Sequence, residues 1–222
     1  MIEQMPGTEM PNAIIFDWDN TLVDSWPVIR DALNTTLTTF GHEPWSIQET
    51  RQRVKKSTRE SFPGLFGSEW EKAVDVFYAR YADIHADAIA PLRGVSEMLA
   101  DIQSLGIYQC IVSNKRGDYL RKEAETLGWT SFFGQIVGAN DAVRDKPASD
   151  PIHMALAGSN VLPAQNVWFV GDADIDMECA LNTNCLPVLL RALPPEDGEF
   201  DRFPPHFHFN SAEALCKRLR KM

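Results

Sequence analysis

Two aspartates, Asp17 and Asp19, close the apolar run Ala13-Ile14-Ile15-Phe16, and Asn20-Thr21-Leu22 follow. Alternate residues of an extended chain point the same way, so the i, i+2 spacing can turn both carboxylates into one pocket at a strand's C-terminal end. Two carboxylates that close repel each other, and a hard divalent cation is the usual remedy. With a cation present, one carboxylate can attack an electrophile while the other moves protons.

Three further segments could complete such a site. Ile107 to Val112 reads as a buried strand that runs into Ser113-Asn114-Lys115. Lys146-Pro147 sits in a loop before a helical stretch near Asp150-Pro151. Asn166 to Val170 is another apolar strand, emptying into Gly171-Asp172-Ala173-Asp174-Ile175-Asp176. Three strand ends therefore deliver, in order, an aspartate pair, a hydroxyl with amides, and more carboxylate, with a lysine between the last two. In an open parallel α/β sheet, ligands bind at the C-terminal ends of the strands.

The elements that must position these groups follow from the pattern. From Ser25 to about Ala88 the chain reads as helix after helix, and Ser46-Ile47-Gln48-Glu49 and Ser68-Glu69-Trp70-Glu71 both have the capping-box form. Ala73, Phe77, Tyr81 and Ile84 recur at helical spacing, and Gly41 closes the first of these helices. Pro91 marks a return to alternation. A helix through Val95, Met98, Leu99 and Ile102 ends at Gly106 as C′ residue, and strand Ile107 to Val112 follows. Then come helix Gly117 to Leu127, strand Gln135 to Ala139, a helix around Pro151 to Gly158, strand Asn166 to Val170, helix Asp174 to Asn182 and strand Leu186 to Leu190. The expectation is a doubly wound parallel-sheet α/β core over residues 1–24 and 89–222, with an all-helical insertion over 25–88.

Taken together, D-x-D-x-T, S-N, K-P and G-D-x-x-x-D in this order resemble the haloacid dehalogenase superfamily of phosphotransferases, from about Ala13 to about Leu190. An insertion after the first strand resembles the helical-cap branch, and Lys146-Pro147-Ala148-Ser149-Asp150-Pro151 is similar to the K-P-x-P-x-P of its phosphoglycolate-phosphatase-like members. Asn20 stands where glycine is more usual, which asparagine tolerates because it accepts left-handed angles, and Ala173 stands where threonine is usual.

The resemblance implies roles. Asp17 is the nucleophile toward a phosphomonoester, and Asp19 the acid and then the base. Asp17, the Asp19 backbone carbonyl and Asp172 hold Mg²⁺, with Asp176 supporting them indirectly. Ser113, the Asn114 amide and Lys146 hold the phosphoryl oxygens, and Thr21 orders the turn beside them. A cap would select the substrate, and Arg59 and Lys56, within the basic run Arg53, Lys55, Lys56, Arg59, are the candidates there. The implied activity is a phosphatase acting on a small phosphorylated metabolite of the phosphoglycolate kind. A mutase of the β-phosphoglucomutase kind would share every motif, and a non-catalytic metabolite- or phosphoprotein-binding module is the alternative from another class. A dehalogenase is disfavoured because that chemistry needs no metal and lacks the second aspartate.

Other readings of the acidic motifs fail at defined positions. In an EF-hand loop starting at Asp17, Leu22 would replace the required glycine and Val28 the final glutamate; starting at Asp172, Met177 and Thr183 do the same. His206-Phe207-His208 alternates as an edge strand would, but no third metal ligand stands near it in sequence. Lys115 could contact phosphate or be an exposed turn residue, Asp174 reads as a helix-start carboxylate, and Arg191 to Pro205 reads as a surface loop.

Composition sets the outer bounds. The chain has 222 residues, 44% hydrophobic and 23% charged, which suits one domain with an insert and an ordinary core. A net charge of −10 argues against nucleic acid or an anionic membrane as partner. No stretch has the apolar length of a membrane span, and Met1 to Pro11 lacks the basic start and apolar centre of a signal peptide. Cys110, Cys179, Cys185 and Cys216 show no C-x-x-C spacing, so reduced thiols in a cytoplasmic protein are expected.

Overall fold

The computed structural model describes Gly7, residues 9–54 and residues 56–222. The chain divides into two compact units, Met1–Leu22 with Pro91–Met222, and Val23–Ala90.

The first unit is built on a six-stranded sheet in the order β3-β2-β1-β4-β5-β6: β1 Ala13–Phe16, β2 Tyr108–Arg116, β3 Gln135–Ala139, β4 Val167–Gly171, β5 Leu186–Leu190 and β6 Phe207–Phe209. Every neighbouring pair is parallel. This is the doubly wound order, in which the direction of winding reverses beside β1, so that a crevice opens between β1 and β4 at their C-terminal ends. β1, β4 and β5 are buried along their whole lengths, which explains why each reads as a continuous apolar run rather than an alternation. In this unit lie α5 Val95–Ser104, α6 Gly117–Thr126, α7 Asp150–Leu156, α8 Asp174–Asn182 and α9 Ala212–Leu219. Ala13, Ile15, Val112, Val137, Ile152, Val167 and Phe169 meet in one core cluster.

Several expected boundaries hold, among them β3, β5 and α8, and Gly106, with a φ of 72°, follows the C-cap of α5 as expected. Two differ. β2 does not stop at Val112 but continues through Ser113, Asn114 and Lys115 to Arg116, and its register against β3 shifts between Val112 and Arg116. Such an irregularity bends a strand and re-aims its side chains. Gly138 permits it, since a Cβ there would lie 2.6 Å from the Lys115 carbonyl oxygen. The helix α9, capped by Ser211 accepting from the Ala214 amide at 3.2 Å, was not anticipated.

The second unit is helical: α1 Trp26–Thr39, α2 Ile47–Arg53, α3 Thr58–Phe66 and α4 Trp70–Ala88. Gly41, with a φ of 75°, follows the C-cap of α1. The Ser46–Glu49 capping box forms. The one expected at Ser68 does not, because Gly67–Glu69 makes a 3-10 turn that leads straight into α4. The interior is aromatic: Phe62 packs edge-on to Phe66 and Phe77 with ring centroids 4.9 and 5.6 Å away. Tyr81 stacks on His85 at 5.1 Å. Arg80 donates to Asp31 at 2.6 Å, joining α4 to α1. Among the described residues, no helix is long and apolar enough to cross a membrane.

Candidate active site

β1 and β4 run side by side, Phe16 level with Val170, and the Asp17 amide donates to the Val170 carbonyl at 2.9 Å. The acidic residues that end these strands are thereby brought together. Oxygens of Asp17, Asp172 and Asp176 lie within 4.8 Å of one another. Between two of them stands the Lys146 ammonium, 2.6 Å from Asp17 Oδ1 and 2.7 Å from Asp176 Oδ1. Asp17, Lys146 and Asp176 are buried, and Asp172 is half-buried.

Local structure fixes each group. Asn20 takes up a left-handed φ of 63°, turning the chain after Asp19 so that the Thr21 hydroxyl donates to Asp17 Oδ2 at 3.3 Å. The Asn114 side chain both donates to the Lys146 carbonyl, at 3.2 Å, and accepts from the Lys146 amide, at 3.0 Å, which ties the lysine loop to the end of β2. Ser113 is buried beside it, and its Oγ accepts from the Lys115 amide at 3.3 Å. At the start of α8, Asp176 turns back and accepts from the Ala173 amide at 3.1 Å, so both of its oxygens are engaged. Its side chain passes directly over Gly171, where any Cβ would meet it at 2.3 Å. Asp174, as expected, bonds locally: its Oδ1 accepts from the Ile175 amide at 3.0 Å.

The electrostatics follow from this packing. Burial pushes the Asp17 carboxyl up to about 6, opposed by Lys146 and reinforced by Asp176 and Asp19. Burial, with Asp176 and Asp17 nearby, raises Asp172 well above the usual carboxylate range. Lys146 is raised as well, since the Coulombic pull of Asp17 and Asp176 and its bonds to them outweigh the cost of its burial. Three carboxylates facing one ammonium leave a negative site with hard oxygen donors, which fits a divalent cation such as Mg²⁺. Asp176 is held through both oxygens, at 2.7 and 3.1 Å, whereas the Thr21 bond to Asp17 Oδ2 is long at 3.3 Å, so the Asp17 and Asp172 carboxylates are the groups suited to ligation.

Sequence reasoning missed several partners of these groups. Lys115 is neither an exposed turn residue nor directed to solvent; it is buried, 2.6 Å from Asp19 Oδ1 and 2.6 Å from Glu123 Oε2. Glu123 gave a signal in retrospect, for it shares the buried face of α6 with Gly117, Leu120 and Ala124, where a carboxylate is out of place. The Arg191 to Pro205 loop also reaches the site. Arg191 is clamped by Glu199 and donates to the Asp172 carbonyl at 3.2 Å, a link that no sequence spacing announces. His206 and His208 are exposed on and beside β6, the edge strand, and His208 Nε2 is 2.9 Å from the Arg191 carbonyl; among the described residues they join no metal-type cluster. Arg59 lies in the first turn of α3 and Lys56 in the bend before it, both in the helical unit.

Comparison with known proteins points the same way. Phosphoglycolate phosphatases of Psychrobacter arcticus and of Xylella fastidiosa are each 28% identical over 183 residues, covering 77% and 81% of this chain and 79% and 80% of their own length. A crystal structure of a predicted phosphoglycolate phosphatase from Haemophilus somnus shares the fold, with a TM-score of 0.82 over 95% of this chain and 98% of that one at 19% identity. The haloacid dehalogenase-like hydrolase family matches residues 14–189, a span that contains Asp17, Lys146, Asp172 and Asp176, and the chain belongs to that family of hydrolases.

Proposed function

We propose that this protein is a Mg²⁺-dependent phosphatase that hydrolyses a small phosphorylated metabolite through an aspartyl-phosphate on Asp17. Phosphoglycolate is the first substrate to test, because the curated relatives carry that activity in their names. The observation that carries the proposal is the buried Asp17 carboxylate held 2.6 Å from the Lys146 ammonium beside Asp172. A nucleophile, a cation for the phosphoryl oxygens and a metal-type carboxylate pair then share one strand-end crevice.

Asp17 attacks phosphorus in line with the leaving oxygen. The Asp17 O–P bond forms as the P–O bond to the alcohol breaks, and Asp19 gives its proton to the departing alkoxide. In the second half, Asp19 takes a proton from water as that water attacks phosphorus and releases Asp17. Lys146, Ser113 and the Asn114 amide hold the phosphoryl oxygens, on which transition-state charge is spread, and Thr21 fixes the rotation of the Asp17 carboxylate. Asp17, the Asp19 carbonyl and Asp172 would hold Mg²⁺, which when bound neutralises phosphoryl charge and relieves the repulsion among the carboxylates. Asp176 and Arg191 set the direction of Lys146 and of the Asp172 backbone. The helical unit serves as the cap, with Arg59 and Lys56 as the groups that read the rest of the substrate. Free, buried cysteines support a cytoplasmic setting.

Phosphate release from p-nitrophenyl phosphate, with Mg²⁺ and with chelator, tests the enzyme, and a panel of phosphometabolites including phosphoglycolate tests the substrate. Metal-independent binding without turnover would favour a binding module. Transfer of the phosphoryl group to a sugar hydroxyl, in place of phosphate release, would favour a mutase.

A further inference from the structure

Beside the cluster at Asp17 lies a second buried group of charges in the same unit. Lys115 Nζ sits 2.6 Å from Asp19 Oδ1 and 2.6 Å from Glu123 Oε2, and the same Glu123 oxygen accepts from Trp18 Nε1 at 2.7 Å. Trp18 is fully buried and packs edge-on to Trp129, with ring centroids 5.7 Å apart. The Lys115 side chain is 5% exposed and that of Glu123 1%, whereas that of Asp19 is 19% exposed. Burying an ammonium and a carboxylate costs several kcal/mol per ion before their attraction is counted, and well-packed apolar residues would fill the space as well or better. A pair placed there is expected to do something besides hold the fold. Asp19 links it to a partly exposed group.

From this geometry we infer that Lys115, held in place by Glu123 and Trp18, is the positioning residue for the acid–base aspartate. The inference rests on the reading of Asp19 given above. An ammonium bonded to Oδ1 marks that oxygen as the acceptor, so the proton that Asp19 gives and takes rides on Oδ2. It also fixes the plane of the carboxyl group, and therefore the direction in which Oδ2 faces. The anchor is rigid because both Lys115 and Trp18 converge on one Glu123 oxygen, and Trp18 lies between Asp17 and Asp19 in the chain. A tryptophan in that position links the backbone of the acidic motif to the same carboxylate that orients its second aspartate.

The test uses the step that needs the proton. The quantity kcat/KM covers events up to departure of the leaving group, and a poor alkoxide leaving group such as that of phosphoglycolate requires protonation while p-nitrophenolate does not. In Lys115→Met, kcat/KM for phosphoglycolate or another alkyl phosphate should fall by at least about thirtyfold and that for p-nitrophenyl phosphate by much less, while kcat falls for both because water activation also uses Asp19. Lys115→Met leaves Glu123 without its cation and can unfold the unit, so the paired variant Lys115→Met with Glu123→Gln is measured beside it; it removes both charges and keeps an acceptor for Trp18. The same leaving-group split in the paired variant supports the role. Equal loss on both substrates, or no loss, overturns it and leaves a structural ion pair. Asp19→Asn is the reference: if it shows the split while the Lys115 variants do not, the positioning role alone fails, and if Asp19→Asn keeps normal kcat/KM for alkyl phosphate, the acid–base reading fails and takes the inference with it.

Discussion

The two units of this chain treat charge in opposite ways. Among the described residues, Asp17, Lys115, Glu123, Asp145, Lys146 and Asp176 are all buried in the α/β unit, while the buried polar residues of the helical unit are Ser25, Thr36, Thr50, Ser57 and His85, with no carboxylate or ammonium. The helical interior is instead a run of ring contacts through Phe40, Phe62, Phe66, Phe77 and Tyr81, and its arginines lie toward the surface, Arg53 over Trp45 at 4.6 Å among them. Buried charge is costly and is retained most often where chemistry uses it, which supports the proposal that the reacting groups lie in the α/β unit.

The difference can be broken first at Asp17. Asp17→Asn keeps the shape but removes the nucleophile, and turnover of every substrate should fall by at least about a thousandfold. The thermal midpoint should not fall, because burial already disfavours the ionised form of this residue. Near-normal turnover would remove the covalent mechanism.

The next test sets one ion pair against another. Lys146→Met leaves Asp17 and Asp176 facing each other without a cation, and stability should drop by about 3 kcal/mol, as for other broken buried pairs. Arg80→Met in the helical unit removes a pair whose side chains are 39% and 44% exposed. Such pairs are screened by solvent, and the loss should be much smaller than that of Lys146→Met. Chemical denaturation of both variants decides; equal losses would mean that the contrast between the units has no energetic content.

Arg59→Ala then probes the surface of the helical unit. If Arg59 reads a second anionic group, kcat/KM for phosphoglycolate should fall by about 1.5–3 kcal/mol, the worth of a charge-assisted hydrogen bond, with p-nitrophenyl phosphate nearly unaffected. Equal effects on the two substrates, or none, would return Arg59 to an ordinary solvated helix face.

The smallest effect expected is a linkage between protons and metal. Asp17 and Asp172 have folded-state pKa values above the unfolded one, so their contribution to stability is present at low pH and is lost as pH rises, for Asp17 through about 6. Mg²⁺ competes with those protons, and should raise the melting temperature more at pH 7.5 than at pH 5.5. A Mg²⁺ shift independent of pH would argue that these carboxylates do not hold the ion.

Much of this molecule could be read along the chain because its signals are local. Short apolar runs such as Ala13–Phe16 and Leu186–Leu190 suit buried strands, Gly41 and Gly106 follow helix ends where a positive φ is needed, and Ser46 with Glu49 caps a helix within four residues. Where local pattern was ambiguous, neighbours decided: Gly67–Glu69 formed a 3-10 turn in place of the Ser68 capping box, and β2 ran on through Ser113 to Arg116 because β3 was there to pair with it.

The order of the acidic, hydroxyl and lysine motifs was likewise enough to indicate which residues converge, since a doubly wound sheet gathers the ends of its strands in one crevice. What the sequence by itself determined was most of the elements of the α/β core up to β5 and the chemical types at their ends. Only the tertiary structure decided how the charges pair. Lys146 reaches Asp17 across 129 positions and Lys115 reaches Glu123 across the turn into α6, while Arg191 comes from beyond β5 to the Asp172 carbonyl. Ion pairing depends on distance and burial in three dimensions, and neither is encoded in the spacing of residues along one strand or helix.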